Sequence, residues 1–191
     1  MSDPAQLSQA GMDLIKAFEG CILFAYDDSI GPPRPLMPGD ACGGTPTIGY
    51  GHTGPDVVPG VTWTQPQADA ALNTDLLAAR QDVSTKTAPL GLASNQFSAL
   101  VIFAFNIGLG GFNASHALQY LVAHDLADVP GAMMLWTKIT INGQHINSLG
   151  LERRRYAETQ LFALPDDAAT PDFMALAIAA YPPAPDSRNS S

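Results

Sequence analysis

Two carboxyl-bearing residues, Glu19 and Asp28, stand nine positions apart with Tyr26 between them, and Thr47 opens the glycine-rich run Thr47-Ile48-Gly49-Tyr50-Gly51-His52-Thr53. Acid–base cleavage of a glycosidic bond needs such a set. One carboxyl must hold a proton for the leaving oxygen, and the other must stay ionised to activate water. Ala17 and Phe18 precede Glu19, and apolar flanks are the setting in which a carboxyl keeps its proton. The Thr47 hydroxyl can donate and accept, which suits a group that holds water at a fixed angle. A carboxylate pair alone is a weak signal; the hydroxyl and the glycine turn sharpen it.

These groups need elements to place them. Leu7, Met12, Leu14, Ile15 and Phe18 recur at helical spacing and put Glu19 just past a buried face, with Ser8 or Asp3 as the cap. Residues 22–26 and 47–50 read as short strands. Between them, residues 29–46 are rich in Gly and Pro and read as a long, partly rigid loop. Thr64-Gln65-Pro66-Gln67 is a helix start with a capping-box glutamine. The helix it opens is expected to run to Val83, with Ala68, Ala71, Leu72, Leu76, Ala79 and Val83 on one face. Further helices are expected over 94–107, 115–125, 129–137 and 152–162, the last ended by Pro165. Residues 173–181 form a short apolar segment that packs on the body, and 182–191 a solvated tail.

The chain has 191 residues, 46% hydrophobic and 14% charged, a globular composition long enough for one sizeable core or two small lobes. Nine basic and eighteen acidic residues give a net charge of −9, which argues against nucleic acid as a partner. An anionic polymer substrate would then need a local positive patch, and Arg153-Arg154-Arg155 is the expected place for it. The first residues lack a basic leader with an apolar core, so no secretory signal is visible. The longest apolar run, 99–105, is well short of the ~20 residues of a membrane span. Cys21 and Cys42 offer no metal-ligand spacing; they bracket the hairpin region, so a single bridge and two reduced thiols both stay open.

Three ordered motifs resemble the phage-type lysozymes, glycoside hydrolase family 24. They are Glu19-Gly20 with Tyr26-x-Asp28 and Thr47-Ile48-Gly49-Tyr50-Gly51-His52; Gln96-Phe97 through Asn106-Ile107-Gly108 with Gly111-Phe112; and Trp136 with Gly150-Leu151-x-x-Arg154-Arg155-x-Ala157-Glu158-x-x-Leu161-Phe162. The resemblance covers about residues 8–164. It implies an α+β lysozyme-like fold: a small N-terminal α+β lobe (about 14–63), a connecting helix (about 64–84) and a mostly helical lobe (85–164), followed by an Ala/Pro-rich extension (165–191). It implies Glu19 as general acid, with Asp28 (at the family spacing, rather than Asp27) and Thr47 (rather than Thr45) handling the attacking water, and inversion at the anomeric centre. Tyr26, Asn106, Gly108 and Arg154 are the implied substrate-site residues, Arg154 matching an arginine that the family places near the acid. His52 matches a family histidine, read as structural and bonded to Asp56. Trp136 and the series Phe97, Phe103, Phe105 and Phe112 read as core.

The implied activity is that of an endolysin. It would hydrolyse the β-1,4 bond between N-acetylmuramic acid and N-acetylglucosamine in bacterial peptidoglycan, as a monomer needing no metal or organic cofactor. It would accumulate in the host cytoplasm until a holin-like factor releases it. A chitin-like polysaccharide hydrolase and a bacteriocin-type killing domain are the alternatives on the same fold. The chain departs from its relatives in one place. Thr47 follows Asp28 by nineteen positions, so that residues 30–44 form an insertion, either a lid or specificity element or a tolerated surface loop.

Overall fold

The computed structural model describes residues 5–183; the Asp3 cap and the expected tail from residue 184 onward lie outside them. Ile15–Ala78 makes one compact unit, and the chain up to Leu14 together with residues from Ala79 onward makes another.

Helix α1 spans Gln9–Glu19. Ser8 caps it, its Oγ accepting the Gly11 N–H at 3.1 Å. Leu14 and Ile15 are buried, Met12 and Phe18 half-buried, and Ala17 is exposed, so only Phe18 supplies the apolar flank expected for Glu19. Gly20, at φ +65°, stops the helix directly after Glu19, a left-handed turn that glycine makes without steric cost. The chain then enters a three-stranded antiparallel sheet: β1 (Ile22–Asp27), β2 (Pro46–Gly49) and β3 (His52–Thr53), in that order. Tyr26 pairs with Thr47 and Asp27 with Pro46, after an irregularity in the ladder that follows Ile22. Ala25, Ile48 and Val57 form the core of this unit, with Val61 and Trp63 packed against it.

The 30–44 insertion is tied to this sheet. Leu36 is buried; its N–H donates to the Ala25 carbonyl and its own carbonyl accepts from Gly60 N–H, both at 2.7 Å. Cys21 and Cys42 are free thiols.

The expected helix from Thr64 to Val83 is two: α2 (Gln65–Asp75) and α3 (Leu77–Thr87). At Leu76 the N–H is shared between the Leu72 and Thr74 carbonyls, a tightened turn rather than a change of direction in sequence pattern. The start is as expected: Gln67 Oε1 accepts the Thr64 N–H at 2.8 Å. Ala68, Leu72, Leu76, Ala79 and Val83 are buried, and Ala71 half-buried.

In the other unit α4 (Ser94–Ala114) is the central helix, kinked at Gly108 (φ 79°, ψ 153°), where the expected helix 94–107 ends. By length and hydropathy α4 could cross a membrane; here residues 97–104 are buried within the unit, where α4 packs along α7. Phe97, Phe103 and Phe112 are core as expected, whereas Phe105 is only half-buried. Helices α5 (His116–Val122) and α6 (Val129–Met133) are shorter than expected, α6 ending because Leu135 and Trp136 close tighter turns onto Ala132 and Met133. An exposed hairpin that the helical reading left unassigned follows, β4 (Lys138–Ile141) with β5 (Gln144–Asn147). Its signal was there: Asn142-Gly143, both at positive φ, is the two-residue hairpin turn.

Helix α7 spans Leu149–Ala163 and α8 Phe173–Ala180. The segment after Pro165 is fastened to the body. Asp166 accepts the Ser94 and Asn95 N–H groups at the start of α4, both at 2.8 Å. Arg153 Nε donates to the Tyr181 carbonyl at 2.8 Å, and Tyr181 meets Tyr156 edge to face. Among the arginines, Arg154 is 8% exposed and Arg155 0%. The positive surface patch expected at 153–155 is therefore not there: successive residues on a helix point ~100° apart, and two of the three turn inward.

Candidate active site

Glu19, at the end of α1, and Tyr26, Asp28 and Thr47, on and beside the sheet, all belong to the Ile15–Ala78 unit. Strand geometry gathers three of them. Tyr26 and Thr47 are directly opposed across β1 and β2, so their side chains share a face. Asp28 follows the last residue of β1; its N–H donates to the Thr45 carbonyl at 3.3 Å, which carries the pairing one residue further and leaves Asp28 on the side of Tyr26 by alternation. Burial of the Tyr26 hydroxyl pushes its pKa up, and the charges of Asp28 and of Glu19 push it further. The phenol thus lies within electrostatic reach of both carboxyls.

The two adjacent aspartates have separate environments. Asp28 is exposed, and its Oδ1 accepts the Thr45 N–H at 2.7 Å. Asp27 is 5% exposed, and its carboxylate accepts from Ser29 Oγ (2.6 Å), Ser29 N (2.9 Å), Gly43 N (2.6 Å) and Gly44 N (3.0 Å). The Ser29 hydroxyl and then these backbone donors hold the Asp27 carboxyl well below the usual carboxylate range. Thr47 is buried and donates its hydroxyl to the Thr45 carbonyl at 3.0 Å. That leaves its oxygen lone pairs for an incoming O–H. One peptide residue, Thr45, therefore holds the Asp28 carboxylate with its N–H and the Thr47 hydroxyl with its carbonyl. Sequence reasoning missed the parts played by Asp27, Gly43 and the Thr45 backbone. The Asp27-Asp28-Ser29 run, a side-chain turn signal, was the available clue.

The glycine-rich turn after Thr47 is seated by its polar residues. Tyr50 donates to Asp69 Oδ1 (3.1 Å) and accepts from Gln65 Nε2 (2.9 Å), and Lys16 Nζ lies 2.9 Å from the same Asp69 oxygen. His52 lies against Asp56, as expected, and also against a partner the sequence did not suggest. Its Nδ1 lies 2.9 Å from the Asp75 carboxylate, its Nε2 3.4 Å from Asp56, and its ring 5.2 Å from that of Trp63. Burial alone would push the imidazole pKa down, but the hydrogen bonds and charges of Asp75 and Asp56 outweigh it and leave it raised.

Asn106, Gly108 and Arg154 belong to the other unit. Asn106 is exposed and accepts from Arg155 Nη2 at 2.7 Å. The same nitrogen lies 2.7 Å from Glu158 Oε1, and the guanidinium carbon sits 4.9 Å from the centre of the Phe103 ring. Gly108 is the exposed kink of α4, and Arg154 is buried on α7. Trp136 is half-buried and meets Phe103 edge to face at 6.3 Å, a packing role. Among the described residues no group of three or more His, Cys, Asp or Glu side chains is arranged to hold a metal ion.

The family model for phage lysozyme matches residues 16–158. The chain is 39% identical over 157 residues to the endolysin of Bacillus phage PZA, an alignment covering 82% of this chain and 55% of that one, so the chain spans about half the length of that relative. It is 33% identical to the endolysin of Acyrthosiphon pisum secondary endosymbiont phage 1, with 82% of this chain and 97% of the relative covered. Among solved structures, the muramidase domain of SpmX from Asticaccaulis excentricus superposes with a TM-score of 0.70 at 36% identity, covering 84% of this chain and 99% of that one. The endolysin of Escherichia coli phage FAHEc1 gives 0.71 at 32%, covering 87% and 97%. The motifs around Glu19 and Thr47, the lysozyme-like fold and these matches agree: the chain belongs to the phage lysozyme family, glycoside hydrolase family 24.

Proposed function

We propose that the chain is an endolysin-type muramidase that hydrolyses the β-1,4 bond between N-acetylmuramic acid and N-acetylglucosamine in bacterial peptidoglycan. The observation that carries the reading is the Thr45 residue, which fixes an exposed carboxylate and a hydroxyl side by side, with Tyr26 feeling both that carboxylate and Glu19. In this reading Glu19 protonates the leaving glycosidic oxygen. Asp28 accepts a proton from the attacking water, and Thr47, its own proton engaged by the Thr45 carbonyl, accepts a hydrogen bond from that water and orients it. Tyr26 lines the site between the two carboxyls. Asn106, Gly108 and Arg154 bind or position the glycan, Asn106 being preset by Arg155. No step requires a cofactor. Two matched relatives are endolysins and one matched structure is a muramidase domain, which supports peptidoglycan as the substrate over chitin-like polymers.

Mass spectrometry of digested, reduced peptidoglycan tests the assignment. Reducing-end muramic acid is expected from the wild-type protein, and Glu19→Gln should lower the rate by at least about a hundredfold. Reducing-end glucosamine would mean the other glycosidic bond is cut, and a 1,6-anhydro product would mean that a sugar hydroxyl rather than water attacks. Either product, or a folded Glu19→Gln protein keeping more than about a tenth of the activity, overturns the reading.

A further inference from the structure

We propose that Asp27 is a positioning residue: it clasps the returning end of the 30–44 segment so that Thr45 presents its N–H to Asp28 and its carbonyl to Thr47. The proposal rests on the active-site reading above, because it takes Asp28 and Thr47 as the groups that handle water.

Three successive backbone N–H groups, those of Gly43, Gly44 and Thr45, are aimed at two successive carboxylates. The first two go to Asp27 and the third to Asp28. Such a run of N–H groups makes a concave electropositive nest for anions, and here the protein's own side chains fill it. Three donors go to Oδ1 and the Gly43 N–H goes to Oδ2, so an amide at position 27 would set an N–H against one of them, whereas a carboxylate offers acceptors alone. Packing fixes the clasp as firmly as charge does. A Cβ on Gly44 would lie 2.7 Å from Asp27 Oδ1 and 2.8 Å from Ser29 Cβ, and would overlap Asp28 Oδ1.

The consequence is local to the chemistry. With Gly43 and Gly44 held by Asp27, the Thr45 peptide cannot rotate without breaking bonds on both sides. Asp28 Oδ1 is tied down, while Oδ2 has no hydrogen-bond partner among the described residues. The insertion is therefore neither a free lid nor a spare loop. Its middle is anchored by Leu36 and its end forms one wall of the water-handling site.

Steady-state kinetics on a soluble, uncrosslinked strand of alternating N-acetylglucosamine and N-acetylmuramic acid test this through a double-mutant cycle. Asp27→Asn puts an N–H against the Gly43 donor, and a displacement of about 1 Å at a reacting group costs up to about a hundredfold. The expected result is kcat lower by about tenfold to a hundredfold with KM within about twofold. In an Asp28→Asn background the same change should cost clearly less, because only the part that runs through Thr47 is left to lose. A purely structural role for Asp27 would give equal losses in both backgrounds and would overturn the proposal, as would wild-type kcat in folded Asp27→Asn. If Asp27→Asn fails to fold, Ser29→Ala takes its place. It removes one of the four donors and should lower kcat by a few-fold, again less when Asp28 is absent; equal losses in both backgrounds refute the proposal. Glu19→Gln in parallel separates the two claims. An active Glu19→Gln protein sinks the muramidase reading, whereas an inactive one beside an additive Asp27/Asp28 cycle sinks only the clasp.

Discussion

Replacing Glu158 by alanine removes one end of a fully buried charge pair, and the structure sets the size of the damage. Glu158 and Arg155 both have 0% side-chain exposure, 2.7 Å apart and one turn apart on α7. Burial pushes the Arg155 guanidinium pKa down, while the Glu158 carboxylate beside it pushes back. In Glu158→Ala the guanidinium keeps its bond to Asn106 and its place over the Phe103 ring but loses the charge opposite. Stranding one partner of a buried pair costs about 3–5 kcal/mol, a third or more of the 5–15 kcal/mol typical of a domain. Replacing both partners by apolar residues, Arg155→Met with Glu158→Leu, removes the pair and its desolvation cost together and should be much milder. Urea denaturation of the wild type, Arg155→Met, Glu158→Leu and the double variant gives the coupling, expected to be at least about 2 kcal/mol in favour of the pair. The folded double variant should still bind glycan less well, because Asn106 has lost the donor that presets it. A Glu158→Ala protein within about 1 kcal/mol of wild type would refute the reasoning, showing that the pair is less desolvated than its burial implies.

The stability of the Ile15–Ala78 unit should fall as pH rises from 6 to 8. His52 has its pKa raised by Asp75 and Asp56, so its contribution is complete below the unfolded value near 6.5 and lost as pH passes the higher folded value. Thermal melts should show this slope flattened in Asp75→Asn; stability rising over that range would contradict it. Asp27, with its pKa lowered, acts in the opposite sense, stabilising above the ordinary carboxylate range and losing that contribution as pH falls below it. Proton NMR before mutarotation should show inversion at the anomeric carbon, and retention would point to a carboxylate nucleophile. Excising residues 31–41 while keeping Gly43 and Gly44 should slow hydrolysis of soluble oligosaccharides and of intact walls alike. Loss confined to intact walls would restore the lid interpretation.

Much of the architecture was legible because its signals are local. Ser8 before α1 and the Thr64–Gln67 cap act within one helical turn, and each appears where the sequence placed it. The β4–β5 hairpin was equally local, through Asn142-Gly143, but its strands are exposed and carry no buried alternation to draw attention to them. What was not legible depends on distant partners. Nothing in the segment around Asp75 marks it as the residue that holds His52, and Asp166 reveals its capping role only when α4 is beside it. The arginine cluster misled because charge composition ignores helical direction. Arg154 and Arg155 turn inward, and Arg153 donates to the Tyr181 carbonyl.

The adjacent aspartates show how far strand parity alone could have carried the site. At the end of β1 Ala25 and Asp27 are buried and Tyr26 is half-buried, and Asp28 just beyond the strand is exposed, the alternation that a pleated strand imposes. Ala25 belongs to the core of the unit, so any residue two further on must turn inward as well. A carboxylate forced inward needs donors; Ser29 supplies two from the next turn, and chain folded back over it supplies the other two. The insertion does this, delivering Gly43 and Gly44 N–H groups to Asp27. Asp28, on the opposite parity, shares the face of Tyr26 and of Thr47 and faces solvent. The spacing Tyr-x-Asp thus sets which side the second carboxylate occupies, while Asp27 at the x turns inward to the donors that the returning segment brings.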